Sequence, residues 1–297
     1  MATAPRHRLW TALAVTAAAA GPLTGCTGWA DPAEPAVHAR ALTAPELRTV
    51  RHGEDVLVGR CMRDHGFGYT PVPPPPVEGP AGPGYLATDP AWARRHGYGE
   101  DRQRAVLAAR AADPNRRYLA GLTAPRRQEY LATLNGARGR RVSVRLATGH
   151  RVSASTQGCL ATAQRELYGD QRRWFAVKVV AGNLRSLVEQ RVLADRRYRA
   201  ALPAWSSCVE HATGQHHLDP AALRRTAAGH HAPTAGAHGT AVVEADCARS
   251  SGLAATAAAL ESTHTAAVNR EHAAQLRDRD ALRLTALAKA RRLVATG

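Results

Sequence analysis

Four cysteines and a knot of histidines are the residues of this chain whose types could do chemistry. Cys61, Cys159, Cys208 and Cys247 lie far apart, and none has the Cys-x-x-Cys spacing of a redox or zinc motif. His211, His216, His217, His230, His231 and His238 are six of the 14 histidines, gathered in one stretch with Glu210 and Asp219 among them. Imidazole suits zinc, copper and nickel. The spacing is not that of a closed structural site, whose ligands sit at fixed short offsets. The 211–238 stretch is therefore either a plain polar loop or a loop that captures zinc or copper through His216, His217, His230 and His231. There is no Gly-x-Ser-x-Gly, no His-Glu-x-x-His, no Ser-x-x-Lys and no phosphate-cradling glycine loop. Asp278 and Asp280 stand among arginines and read as solvated charges on a helix face. No residue is nominated as catalytic. An enzyme built on this chain would need a site assembled only in space.

The fifth cysteine, Cys26, has a different setting. Arg6, His7 and Arg8 make a short basic start, Leu9 to Ala20 is apolar, and Gly21-Pro22 breaks the run before Leu23-Thr24-Gly25-Cys26. That order is the layout of an export signal, and its apolar run is well short of the ~20 residues that span a bilayer. Leu-Thr-Gly-Cys resembles the lipobox of bacterial lipoproteins. The resemblance covers residues 1–26 and implies a diacylglyceryl group on the Cys26 thiol, cleavage just before it, and a place on the outer face of the cytoplasmic membrane. Each buried acyl CH₂ contributes about 0.8 kcal/mol, and two chains hold where one holds only marginally.

Export changes how the rest of the composition reads. Four remaining cysteines in an oxidising compartment make two disulfides. The chain has 40 Lys and Arg against 24 Asp and Glu, a formal +16, and all but Lys178 and Lys289 of these cations are arginine. Outside the cell such a surface meets anionic lipid headgroups and wall polymers rather than nucleic acid.

The elements that must position these groups are mainly helical. Thr43-Ala44-Pro45-Glu46 is a capping box, and Leu47, Val50, Leu57, Val58, Cys61 and Met62 follow at helical spacing up to Gly66. Pro71 to Pro83 holds seven prolines and reads as an extended spacer. Short helices are expected from Asp89-Pro90, through 100–122, and from Thr123 to Gly136. Val142, Val144 and Leu146 alternate with polar residues before Thr148-Gly149 turns the chain back, which predicts a β-hairpin lying on the helices. Cys159, Leu160, Ala163 and Leu167 mark a further helix. The two longest are expected at 171–202, bending or restarting at Pro203, and at 253–294, a rod of about 60 Å whose simplest packing is antiparallel on the first and whose alternative is self-association as a coiled coil.

In this layout Cys61 and Cys159 lie on apolar helix faces of the N-terminal half, while Cys208 and Cys247 end and begin helices around one loop-rich segment. The expected pairs are Cys61–Cys159 and Cys208–Cys247. Cys61-Met62 with Gly66-Phe67 and Tyr69, Gly158-Cys159 with Leu167-Tyr168-Gly169-Asp170, Trp205-Ser206-Ser207-Cys208 and Ala245-Asp246-Cys247 resemble secreted lipoproteins of streptomycete-type actinobacteria, a group to which the resemblance attaches no activity. The expected organisation is a signal at 1–25, a lipid-anchored tether at 26–42 and a disulfide-stapled helical bundle at 43–297, with two long helices and one small hairpin. The expected role is a binding or envelope-interaction module. Metal capture and an enzyme with an unrecognised site are the alternatives.

Overall fold

A computed structural model of the chain describes residues 40–72, 83–137, 139–229 and 235–295, with side chains omitted for 229 and 235–238. The expected signal, tether residues 26–39, most of the proline spacer, His230 and His231 lie outside the described residues.

Twelve helices and one hairpin make up the described chain. Their order is α1 (Ala44–Asp64), α2 (Pro90–His96), α3 (Glu100–Ala111), α4 (Pro114–Ala120), α5 (Ala124–Asn135), β1 (Arg141–Arg145), β2 (Arg151–Ser155), α6 (Cys159–Tyr168), α7 (Gln171–Ala194), α8 (Arg196–Thr213), α9 (Pro220–Gly229), α10 (Ala235–Ser250), α11 (Leu253–Glu271) and α12 (Ala273–Ala295). Local chemistry starts most of them. The Thr43 hydroxyl accepts from Glu46 N while the Glu46 carboxylate accepts from Thr43 N at 2.9 Å, closing the expected capping box. Three helices open on Asp-Pro: the Asp89, Asp113 and Asp219 carboxylates accept the backbone N–H of Trp92, Asn115 and Ala222. Proline costs nothing at the first helical position, where its missing N–H would have no partner. Gly136 ends α5 at φ +82, a conformation open to glycine, with the backbone of Gln157 and Gly158 pressed against it.

Two large hydrophobic cores lie among the described residues, beside a small cluster of Ala93, Ala241 and Ala245. The first gathers Val50, Leu57, Val58 and Met62 of α1, Tyr130 of α5, Leu167 and Tyr168 of α6, Trp174 and Val177 of α7, and Leu282, Ala286 and Ala290 of α12. Tyr168 stacks on Trp174 with ring centres 3.8 Å apart. The second gathers Leu184, Val188 and Val192 from the other end of α7, Tyr198, Trp205 and Val209 of α8, and Leu253, Ala257, Leu260 and Val268 of α11. Thus α7 and the α11–α12 pair run through both. The ion pairs His264–Asp195, Arg191–Glu271 and Arg173–Asp278 order them antiparallel, as expected.

Each core has its own covalent staple. Cys61–Cys159 joins α1 to α6 with Cα atoms 5.5 Å apart, and Cys208–Cys247 joins α8 to α10 at 5.6 Å, the two expected pairs. The mainly helical class and the hairpin also stand as expected.

Four expectations need correction. The 171–202 helix ends at Ala194, because Asp195 turns out to ψ 135 and its carboxylate caps Arg197 N at 2.9 Å; Pro203 then lies inside α8 rather than at the end of the long helix. The 253–294 rod is interrupted at His272, where α11, packed in the second core, gives way to α12, packed in the first. Asp280 is buried, held by Arg279 at 2.7 and 2.9 Å, and is not a solvated charge. Leu42, expected in the tether, is buried in the first core, and Arg40 grips Glu46 at 2.8 and 2.7 Å, so the body includes residues from 40 onward.

Candidate functional site

The 211–238 stretch is not the single loop expected, since α8 runs on to Thr213, α9 fills Pro220–Gly229 and α10 starts at Ala235, and its histidines do not converge where they are described. His216 Nδ1 meets the Glu210 carboxylate at 2.8 Å on an exposed turn. His217 is buried, and its carbonyl accepts the Ser206 hydroxyl at 2.6 Å. His230 and His231 are outside the described residues. Of the four expected metal ligands, two are therefore placed, one paired with a carboxylate and one folded inward.

The most enclosed polar group is one the sequence did not flag. Glu244 of α10 is fully buried. Its Oε1 accepts from Ala87 N at 2.7 Å and Arg224 Nη2 at 2.6 Å; its Oε2 accepts from the Tyr98 hydroxyl at 2.8 Å and Arg224 Nε at 3.0 Å. Arg224 Nη1 also reaches Gly84 O at 2.7 Å. Burial, and then the Glu244 charge, push the Tyr98 hydroxyl far up its range, so it remains a donor. A carboxylate with four donors in place has no lone pair left to take a substrate proton. It works as a latch that holds the segment leaving the proline spacer against α9 and α10. The cleft beside it, walled by Leu86, Trp92 and Tyr98, is only about 60 Å³, near the size of one or two waters.

The hairpin offers a different kind of site. In register, Arg141 faces Ser155, Ser143 faces Ser153, and Arg145 faces Arg151. Alternation puts Val142, Val144 and Val152 inward, toward α7, and leaves Arg141, Ser143, Arg145, Arg151 and Ser153 exposed on the outer face. Thr148–Asn183 and Gln171–Ser155 hydrogen bonds, 3.0 and 3.3 Å, fasten the ribbon to α7. Arg141 is held across the strands by Ser153, with Nη2 bonded to both its carbonyl and its hydroxyl. Arg145 and Arg151 make no ion pair among the described residues, and as directly opposed like charges they destabilise the ribbon. No Asp or Glu occurs between Glu129 and Glu166. A chain that pairs many of its arginines elsewhere thus presents on this ribbon an arginine and serine face that carries no acid of its own. Guanidinium forks and hydroxyls on a fixed ribbon suit phosphate oxygens. The signal was legible as a long stretch without a carboxylate, but only the register shows that its arginines share a face.

No helix among the described residues is long and apolar enough to cross a membrane. No family model, no curated protein and no solved structure matches the chain.

Proposed function

We propose that the chain is an exported lipoprotein, held to the outer face of the cytoplasmic membrane by a diacylglyceryl group on Cys26, that binds phosphate-bearing anionic surfaces of the envelope through its hairpin. The acid-free arginine face, with Arg145 set opposite Arg151, carries this reading. Two bridges closing long loops, in keeping with an oxidising compartment, support its exported half. An anion on that face would remove the repulsion between the two guanidinium groups, so binding and ribbon stability are coupled. Lipid headgroups and wall polymers share the phosphate chemistry.

Sedimentation with vesicles, anionic against zwitterionic, and with purified wall polymer tests it. Each arginine near an anionic surface contributes about 1 kcal/mol, so Arg145→Ser with Arg151→Ser should weaken binding about 30-fold. Added salt should weaken it further. Binding unchanged by both substitutions would refute the hairpin's role. Fatty-acid labelling lost in Cys26→Ser checks the anchor, and protein that stays in the membrane fraction without labelling contradicts it.

A further inference from the structure

We propose that Cys61, Cys159 and His65 form a thiol-gated site for a divalent cation of the zinc class, closed while the two cysteines are bridged. Both sulfurs and a ring nitrogen of His65 lie within 4.8 Å of one another, the one such trio of ligand atoms among the described residues. His65 is the residue that ends α1, and its Nδ1 lies 2.8 Å from Cys61 O. Only N–H donation makes that contact a hydrogen bond, because a carbonyl has no proton to give. The neutral ring therefore carries its lone pair on Nε2. Metal-binding histidines are oriented in this way, the second ring nitrogen donating to a carbonyl or carboxylate.

Two further features favour the site. Cys159 is the first residue of α6, where unpaired backbone N–H groups favour a negative sulfur. A cleft of about 260 Å³ opens on the bridge between Thr133, Gln157 and Thr162, with Cys61, Cys159 and His65 in its wall. It admits a reductant to the partly exposed Cys61 and leaves room for a fourth ligand. Among the described residues the other bridge has no comparable neighbour: near Cys208 Sγ stands the Ser250 hydroxyl at 3.7 Å, a poor ligand for this class of metal.

The change of state balances simply. A dithiol reductant supplies two electrons and two protons; the S–S bond breaks, two S–H groups form, and the dithiol leaves as its own disulfide. The cation then displaces both thiol protons to solvent and bonds the two sulfurs and Nε2, with a water from the cleft in the fourth position. Thiolate with imidazole is a ligand set suited to zinc and cobalt. The metal replaces the disulfide as the link between α1 and α6, so the staple survives reduction in another form.

Cobalt(II) is the probe. The whole chain is reduced with a dithiol, freed of it without air, and titrated. The reduced chain should take up one equivalent with a thiolate-to-cobalt absorption band, and the oxidised chain none. His65→Ala should weaken uptake on the order of 10-fold or more. In the same samples, cobalt should shield Cys61 and Cys159 from alkylation and leave Cys208 and Cys247 reactive. Absence of the band, a band indifferent to His65→Ala, or shielding of the other pair overturns the proposal. So does a reduced chain that loses its helicity and does not regain it with cobalt.

Discussion

Replacing Gly53 by alanine sets two opposing effects against each other at one position. Gly53 lies within α1 where that helix crosses α12. A Cβ there would stand 2.7 Å from Ala290 Cβ and 2.9 Å from Ala290 Cα. Neither atom can move by a rotamer change, so the helices must part by roughly an ångström to restore ordinary contact. In an unobstructed helix interior alanine is better than glycine by about 0.8–1.0 kcal/mol. Overpacking a tight contact costs about 1–3 kcal/mol. Because the obstruction is backbone, the upper half of that range applies, and Gly53→Ala should lower stability by about 1–2 kcal/mol net. Gly182 in α7 is the control, since a Cβ there meets nothing within 4 Å. Gly182→Ala should raise stability by the full propensity difference. Urea unfolding of the oxidised chain reads both, with the slope against denaturant checked for constancy. If Gly53→Ala stabilises as much as Gly182→Ala, α1 and α12 do not meet as described.

Other perturbations separate the remaining contributions. Glu244→Ala leaves Arg224 with one hydrogen bond to Gly84 O and strips Ala87 N and Tyr98 of their acceptor; the loss should be about 3 kcal/mol, at the low end for a broken buried pair because Arg224 keeps a quarter of its side chain in water. A thermal shift equivalent to less than about 1 kcal/mol would mean the latch is not formed. Removing Cys61–Cys159, whose cysteines are 98 positions apart, should cost about 4.7 kcal/mol in the chain-entropy model, and removing Cys208–Cys247, 39 positions apart, about 4; a reversed order of losses counts against an entropic origin. The Arg40 guanidinium, and then Thr43 N, hold the Glu46 carboxyl down at about 2. A depressed folded value means its contribution is whole above the ordinary carboxylate range and is lost as pH falls from about 4.5 through about 2. An NMR titration of Glu46 that moved to higher pH in Arg40→Ala bears this out, and an unmoved midpoint removes Arg40 as the cause.

How much of this could be read along the chain depended on how local the cause was. The Thr43–Glu46 box, the Asp-Pro starts and Gly136 act within a few residues, so their elements were legible. The disulfide pairs followed from which helices carried the cysteines. The break at His272 has no local cause: neither proline nor glycine is near, and the surrounding alanines and leucines favour helix. It comes from one long segment serving two cores. Asp195 was hidden for a different reason. An aspartate before arginines can cap a helix or sit on its face, and packing decided for the cap. The Glu244 latch joins residues more than 140 positions apart, and no spacing rule connects Ala87 and Tyr98 to α10. The hairpin was legible as a hairpin, but its charge became a site only when register placed Arg145 across from Arg151.

The Cys61–Cys159 bridge also decides how the body would bear a pull. Were the chain held ahead of Arg40 by the proposed anchor and at the hairpin by the proposed envelope partner, tension would enter at the start of α1 and leave at Ser155. The covalent route between them runs through α1 to Cys61, crosses the sulfurs to Cys159 and reaches the hairpin after only the few residues back to Ser155. Everything from Met62 to Gly158 is shunted out of the load. Only the part of α1 ahead of the bridge, Ala44 to Cys61, can be peeled, and drawing it from ~1.5 Å per residue as helix to ~3.4 Å extended gives about 34 Å of slack. Cutting the bridge by reduction, with no cation to relink the sulfurs, would put the shunted segment back into the line and lengthen that slack several-fold, so under the proposed anchoring the state of one pair of sulfurs would set the reach of the protein.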